Sequence, residues 1–84
     1  MNESLQKLFP GKEIKDIKSF KKYNFCWDMD EEGFVVTLED NSKHVIFSNH
    51  NAHYVVDKLE FVKYLEEMKQ AFRRAMGVFE EVFK

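Results

Sequence analysis

The feature that most constrains the fold is an alternating run of large apolar residues between positions 24 and 49. Within this run, apolar side chains recur at every second position in three short segments, at 25–29, 34–38 and 45–47. A period of two is typical of β-strands, because successive side chains point to opposite faces of a sheet. The sequence therefore predicts a three-stranded antiparallel β-meander over residues 24–49.

Two polar segments between these strands predict the register of the meander. Two-residue turn tips at 31–32 and 41–42 place Trp27 opposite Val36, and Val36 opposite Phe47. In this register, the large apolar side chains of both hairpins all lie on one face of the sheet. We therefore expect a sheet with one apolar face and one mixed face.

A long amphipathic helix is predicted over residues 57–84. Asp57 is suited to be its N-cap, Glu60 completes a capping box, and Val56 can form a hydrophobic staple with Phe61. Apolar residues recur every three or four positions, at Leu59, Val62, Leu65, Met68, Phe72, Met76, Phe79 and Phe83. This period is typical of a helix that packs one apolar stripe against a sheet.

The N-terminal segment 1–22 is predicted to be helical. A first short helix ends at the Pro-Gly pair that follows Phe9. Three apolar residues then recur at a spacing of three: Ile14, Ile17 and Phe20. This spacing favours a second helical stretch over 12–22. The alternative is that residues 13–20 add a fourth strand.

Together these segments predict an α+β fold in a single domain, residues 1–84, with the long C-terminal helix packed on one sheet face. The only cysteine, Cys26, excludes an internal disulfide and favours a reducing compartment, so we expect the protein in the cytoplasm. No apolar run approaches the roughly 20 residues of a membrane span, and we expect no contact with a membrane.

Charge is segregated along the chain. Residues 1–22 carry six lysines against three acids, whereas residues 23–42 carry six acids and no lysine or arginine. The six acids are Asp28, Asp30, Glu31, Glu32, Glu39 and Asp40. Carboxylates crowded on one hairpin repel each other, and a basic groove on a protein partner would stabilise them. We predict that this acidic hairpin binds the partner, and the alternative is a hairpin tip whose charges only keep the protein in solution.

The acidic hairpin also resembles an EF-hand calcium loop. Asp28, Asp30 and Glu32 stand at loop positions 1, 3 and 5, with Gly33 at position 6 and Glu39 at position 12. Calcium loops are flanked by helices, whereas predicted strands flank this one. Calcium binding is therefore an alternative function, and the favoured prediction is a hairpin without metal or cofactor.

Motifs of catalysis are missing from the sequence. There is no Gly-x-Ser-x-Gly turn or glycine-rich phosphate loop, and the chain has only three glycines. His44, His50 and His53 with Cys26 lack the spacing of a zinc site, and a polar loop before the last helix accounts for two of these histidines. We therefore predict that the protein is not an enzyme.

Nucleic-acid binding is a further alternative. The predicted order of helix, three-stranded meander and helix is similar to that of the double-stranded RNA-binding domain, on topology alone. Such domains carry a basic cluster at the start of their last helix, where this chain has Asp57-Lys58-Leu59-Glu60. The net charge of −2 also argues against binding through bulk positive charge. The lysines of 12–22 are the candidate phosphate contacts, and direct nucleic-acid binding is the less favoured prediction.

The predicted C-terminal helix is longer than the sheet that it covers. A helix over 58–84 spans roughly 40 Å, whereas a seven-residue strand spans about 23 Å. Each large apolar side chain left uncovered in its distal half forgoes about 1.5–3 kcal/mol of burial. We therefore predict a homodimer whose interface consists of Phe72, Ala75, Met76, Phe79 and Phe83. The alternatives are that the N-terminal helix or a foreign partner covers these side chains.

The functional prediction is stoichiometric binding to another protein. A small chain rich in lysine, asparagine and phenylalanine is typical of inhibitors that phages and mobile elements direct against host or defence proteins. The acidic hairpin suits a nucleic-acid-binding enzyme of the host, in whose channel the carboxylates would mimic phosphates.

Overall fold

The computed structural model describes residues 2–24, 29–49, 52–67 and 72–83, with the backbone alone at Asn2, Asn49 and Phe72. The elements are α1 (Asn2–Gln6), β1 (Ile14–Asn24), β2 (Met29–Leu38), β3 (Lys43–Asn49), β4 (Ala52–Val56), α2 (Lys58–Glu67) and α3 (Phe72–Phe83). The strands form one antiparallel sheet in the order β1-β2-β3-β4. The predicted α+β class is confirmed, whereas the predicted three strands are four. In the described part of the chain, no helix has both the length and the apolar character that crossing a membrane requires.

The prediction of a helix over 12–22 is wrong, and the alternative strand is present as β1. β1 pairs with β2, and its register shifts at Lys15, just after the pair Ile14–Leu38. Such a β-bulge adds one residue to one strand, so Ile14 and Ile17 face the same side although they are three residues apart. The bulge therefore imitates the spacing of a helix between Ile14 and Ile17, whereas Phe20 lies on the opposite face of the sheet.

The first predicted turn tip, at 31–32, is also wrong, because both residues lie within β2. Glu31 pairs with Lys22 across the β1–β2 ladder. The two strands are joined by residues 25–28, which lie outside the described part of the chain. The predicted pairing of Trp27 lies outside it as well.

The second turn has three residues, 39–41, instead of the predicted two-residue tip at 41–42. The Asn41 amide donates a hydrogen bond to the Leu38 carbonyl at 2.9 Å, and the Leu38 amide donates to the Ser42 carbonyl at 2.9 Å. Asn41 has a φ of 69°, in the left-handed region. A three-residue hairpin loop commonly ends on a residue in this conformation, and asparagine tolerates it better than most residues.

The longer turn changes which sheet face each side chain of β3 occupies. Val36 pairs with His44, three positions from the predicted partner Phe47. Because side chains alternate along a strand, a shift by an odd number of residues moves them to the opposite face. The prediction of one apolar face is therefore wrong, and the apolar residues of β2 and β3 are divided between two faces.

Both faces of the sheet are covered. On one, the α1 face, α1 and the chain that follows it cover a buried cluster of Leu5, Phe9, Phe34, Val36, Leu38 and Ile46. On the other, the helix-pair face, α2 and α3 cover a buried cluster of Val45, Phe47, Val56, Phe61, Tyr64 and Ala75. The central strand β3 contributes to both clusters, which explains its uninterrupted apolar run at 45–47.

The polar loop predicted before the last helix is partly a strand, β4. It pairs with β3 from Asn49–Ala52 to Val45–Val56. Its sequence, Ala-His-Tyr-Val-Val, ends in an aromatic and two β-branched residues, which are the residue types enriched in strands. This signal was present in the sequence, but the segment is too short to show a period.

The predicted single helix over 57–84 is two helices. The ring centroids of Phe61 and Phe83 lie 5.6 Å apart, whereas a continuous helix would separate these residues by about 33 Å. α3 therefore folds back onto α2. The predicted N-cap is confirmed, because the Asp57 carboxylate accepts a hydrogen bond from the Glu60 amide at 2.8 Å.

One carboxylate on α3 fastens this helix to the sheet. The Glu81 carboxylate accepts hydrogen bonds from Lys18 of β1 at 3.3 Å and from Lys43 of β3 at 3.0 Å. The hydrogen bond from Lys43, with a smaller contribution from Lys18, lowers the pKa of Glu81 below its usual value. α3 thus lies across the helix-pair face and not beyond the end of the sheet.

Candidate partner-binding surfaces

The acids predicted to form one acidic hairpin are divided between the two ends of β2. The acids at 30–32 lie at its start, whereas Glu39 and Asp40 lie just beyond its end. Nine residues of extended strand span about 30 Å, which separates the two groups. Asp28 lies outside the described residues.

Glu31 has a structural role at the start of β2. Lys22 lies 3.4 Å from its carboxylate, and the Asn24 side chain donates a hydrogen bond to it at 2.8 Å. The side chains of Lys22 and Glu31 are only 12% and 17% exposed. The Lys22 ammonium also lies 4.7 Å from the centre of the Phe47 ring, which makes a cation–π contact. Strand pairing with the basic segment therefore neutralises one of the predicted site carboxylates.

Three exposed residues at the start of β2 make up what we call the acidic strand end: Asp30 and Glu32 on the α1 face of the sheet, and Met29 on the helix-pair face. Met29 is 54% exposed, and both carboxylates are exposed. Within the described part of the chain, Asp30 and Glu32 make no ion pair. Methionine is among the residues enriched in protein interfaces.

At the other end of β2, Asp40 stabilises the turn. Its carboxylate accepts hydrogen bonds from the Ser42 hydroxyl at 2.6 Å and from the Ser42 amide at 3.0 Å, and Lys12 lies at 3.3 Å. The hydrogen bonds from Ser42, followed by that from Lys12, lower the pKa of Asp40 to about 2. Lys15 donates a further hydrogen bond to the Asn41 side chain at 2.7 Å. The Asp40 carboxylate therefore stabilises its own turn, and its hydrogen bonds within the chain compete with any contact to a partner.

The same turn brings an aspartate, a serine and a histidine together in an order that does not support catalysis. Ser42 Oγ lies 2.6 Å from the Asp40 carboxylate and 3.0 Å from His44 Nε2. In a catalytic triad, the histidine lies between the other two groups and accepts the proton of the serine. Here the single hydroxyl proton is donated to Asp40. Burial also lowers the pKa of His44, which disfavours its charged form.

The glycine of the apparent calcium loop has a packing role. A Cβ added to Gly33 would lie 2.5 Å from Cζ of Phe20 on the neighbouring strand, so the Phe20 ring occupies the space of the missing side chain. Asp30 and Glu32 lie along an extended strand, about 30 Å and 23 Å from Glu39 by residue count, and do not converge on one ion. Among the described residues, no cluster of three or more potential metal ligands exists.

The two histidines that the structure describes contact the N-terminal segment. Ser4 Oγ lies 2.7 Å from Nδ1 of His53, and the ring of His44 lies 4.9 Å from that of Phe9. Both histidines therefore help to hold the N-terminal segment on the α1 face. Two further predicted zinc candidates lie outside the described residues: Cys26 and His50.

The lysines proposed to contact phosphates mostly bind acceptors of the chain itself. Lys12, Lys15, Lys18 and Lys22 donate hydrogen bonds to Asp40, Asn41, Glu81 and Glu31, respectively. Lys21 is exposed. These pairings give the basic segment a role in joining β1 to the rest of the fold, and they favour that role over recognition of a nucleic acid.

The residues of the predicted dimer interface pack within the chain. Ala75 is only 3% exposed, and the ring centroids of Phe79 and Phe83 lie 6.0 Å and 5.6 Å from that of Phe61. Met76 is half-buried. The side chain of Phe72 lies outside the described residues. The fold-back of α3 thus removes the overhang on which the dimer prediction was based, and the oligomeric state remains a prediction.

A groove of about 440 Å³ lies between the sheet and α2 on the helix-pair face. Its walls include the rings of Phe47, Tyr54 and Tyr64. Burial is the main cause that raises the pKa of both tyrosines. Its charged residues are Lys22, Glu60, Lys63 and Glu67. Sequence analysis missed this groove, because its residues come from four elements that meet only in the fold. The lining contains two lysines and two glutamates, and Lys22 is paired with Glu31 outside the groove.

Comparison with known proteins does not extend these observations. No protein-family model, curated protein or solved structure matches the chain.

Proposed function

We propose that this chain is a small protein-binding domain that acts by stoichiometric association and not by catalysis. The observation that carries the proposal is the acidic strand end. There, Met29 is exposed on one face of β2, and on the other face the carboxylates of Asp30 and Glu32 have no ion pair in the described part of the chain. Desolvation of such a surface is favourable only when a partner supplies both apolar area and positive charge.

The partner that fits binds the start of β2 from both faces, with lysine or arginine against the two carboxylates and a pocket for the Met29 side chain on the opposite face. A nucleic-acid-binding enzyme has such a surface, and the carboxylates would occupy the positions of phosphates. The narrower proposal, an inhibitor that a phage or mobile element directs against a host or defence protein, is supported by composition alone. The single cysteine supports a cytoplasmic location.

The test compares charge variants in capture from a bacterial lysate. Asp30→Asn/Glu32→Gln removes both carboxylates of the acidic strand end. Glu66→Gln/Glu80→Gln removes two exposed carboxylates from the helices and is the matched control. We expect a protein that binds wild type and the control in a fixed ratio and is lost from the first variant.

The association rate with a captured partner then tests the electrostatic part of the proposal. Steering by the acidic strand end predicts a rate that falls with ionic strength for wild type and for the control. The Asp30→Asn/Glu32→Gln variant should show a weaker salt dependence. A variant that associates as fast as wild type at low salt would place the interface elsewhere.

A further inference from the structure

The two edges of the sheet differ in how they are protected against pairing with another strand. β1 has exposed lysines at positions 15, 18 and 21 and the bulge at Lys15. Charged residues, lysine above all, and bulges are the devices by which proteins prevent edge strands from associating. β4 spans five residues, contains no lysine, arginine or acid, and pairs with its neighbour β3 without a register shift. In the described part of the chain, only β3 pairs with it.

Exposed apolar side chains are concentrated at this unprotected edge. Four large apolar side chains among the described residues are exposed, and three of them lie in β4 or in the first turn of α2. These are Tyr54, Val55 and Leu59, with exposed fractions of 37%, 42% and 66%. Tyr54 pairs with Phe47 and Val55 with Ile46, so the edge is apolar on both faces of the sheet.

We propose that β4 pairs with β4 of a second copy of this chain. An antiparallel pairing, with a two-fold axis near Tyr54, joins the two four-stranded sheets into one continuous sheet of eight strands. The free backbone N–H and C=O groups of each edge then bond to the other copy, and the side chain of Val55 loses contact with water on both sides of the axis.

Charge favours a second copy over a pairing of β4 with the other edge. At a β4–β4 contact, no formal charge meets a like charge, because residues 52–56 carry only His53 as a titratable group apart from Tyr54. A β4–β1 contact would bring the β4 edge against lysines and a bulge. Such a β4–β1 contact would join different edges of the two copies, so the assembly would stay open and keep an unpaired β4 edge at one end.

The size of the edge sets the expected strength of association. A five-residue strand is about 17 Å long, and pairing at one such edge buries less surface than the roughly 1,200–2,000 Å² of stable interfaces. We therefore expect a weak dimer in the micromolar range. This interface does not use α3, and it is distinct from the acidic strand end.

Sedimentation velocity tests the proposal over about a hundredfold range of concentration around the micromolar level. The weight-average mass of the wild type should rise from 10.1 kDa toward about twice that value. Val55→Lys places two ammonium groups near the axis and should keep the chain monomeric. Met29→Lys also replaces an exposed apolar side chain by lysine, on the acidic strand end, where the exposed fraction is 54% against 42% for Val55, and should dimerise like wild type.

Circular dichroism establishes whether each variant is folded. If Val55→Lys is unfolded, Ala52→Lys, at another exposed position of β4, takes its place. Hydrogen exchange locates the contact independently. Amides of 52–56 should exchange more slowly as the wild type is concentrated, and the lysine variant in β4 should lack this effect. A wild type that stays monomeric at every concentration overturns the proposal. A dimer that survives the β4 substitution, or is lost in Met29→Lys as well, also overturns it.

Discussion

The two faces of the sheet are covered in different ways. The helix-pair face is covered by two helices of 10 and 12 residues, whose rings continue the core outward: Phe61, Tyr64, Phe79 and Phe83. The α1 face is covered by a helix of five residues and the turn after it, anchored by Leu5 and Phe9. Isolated helices shorter than about 12–15 residues are marginal in water. α1 is therefore held by its contacts with the sheet, whereas α2 and α3 also hold each other.

This difference predicts two kinds of response to mutation. The helix-pair face should behave as one cooperative unit with the sheet, because its rings contact both helices and β3. The α1 face should open locally, because the loss of one anchor releases a short segment without exposing the helix-pair core.

The largest effect is expected from Phe61→Ala. Phe61 is fully buried, and its ring contacts those of Phe47, Phe79 and Phe83. Truncation should lower the free energy of unfolding by about 3–5 kcal/mol, measured by urea denaturation. Leu59→Ala, at an exposed position of the same helix, is the control and should change little. A variant within about 1 kcal/mol of wild type would show that the ring cluster is not the centre of the fold.

Leu5→Ala tests the α1 face. Leu5 is fully buried, and the substitution carries a cost of about 2–5 kcal/mol if α1 stays docked. We expect α1 to detach instead, which limits the loss of global stability to the lower part of that range. Hydrogen exchange should accelerate at the amides of residues 7–9, which donate hydrogen bonds to carbonyls of α1, and stay slow in α2. Equal acceleration in both segments would mean that the two faces unfold together.

Gly33→Ala tests the position in β2 where the Phe20 ring occupies the space of the missing side chain. The new methyl group would lie 2.5 Å from the Phe20 ring, which must shift. We expect a loss of about 1–3 kcal/mol in the free energy of unfolding. Gly33→Ala should cost less free energy of unfolding in a Phe20→Leu background than in the wild type. A double-mutant cycle measures this difference.

Glu81→Gln should have the smallest effect on the free energy of unfolding. It measures how much the ion pairs of Glu81 with the sheet stabilise the packing of α3. Ion pairs between partly exposed groups contribute about 0.2–1 kcal/mol. The pKa of Glu81 is lowered in the folded state, so its contribution is present above the usual pKa of 4.5 and is lost as the pH falls through the folded-state pKa. Thermal melts should therefore separate wild type from the variant at neutral pH, and the separation should shrink in acid.

The sequence predicts locally determined features of this fold correctly. The N-cap at Asp57, the α+β class and the helix before Pro10 depend on residues within a few positions of each other. The features that it misses depend on one residue whose effect propagates. The bulge at Lys15 gives Ile14 and Ile17 of a strand the three-residue spacing of a helix. The left-handed Asn41 makes a turn one residue longer than predicted, which moves every side chain of β3 to the face opposite the predicted one.

The sequence also fails to predict the reversal of direction between α2 and α3. Residues 68–71, Met-Lys-Gln-Ala, contain no glycine or proline, and the apolar spacing continues through them. The site prediction failed to anticipate Lys22 beside Glu31 and Lys12 beside Asp40, because ion pairs across strands depend on the register. Segregation of charge along the chain was the available signal, since a basic segment followed by an acidic one can pair in a hairpin.

The order of the strands has a consequence for how the protein is made. Each strand pairs with the one that precedes it in the chain, so the sheet can assemble one hairpin at a time during synthesis. The ring of Phe61 gains its contacts with Phe79 and Phe83 only when α3 is released from the ribosome. A message truncated before residue 72 would yield a sheet whose helix-pair face is covered by α2 alone, and we expect that product to be recognised by chaperones and proteases instead of accumulating.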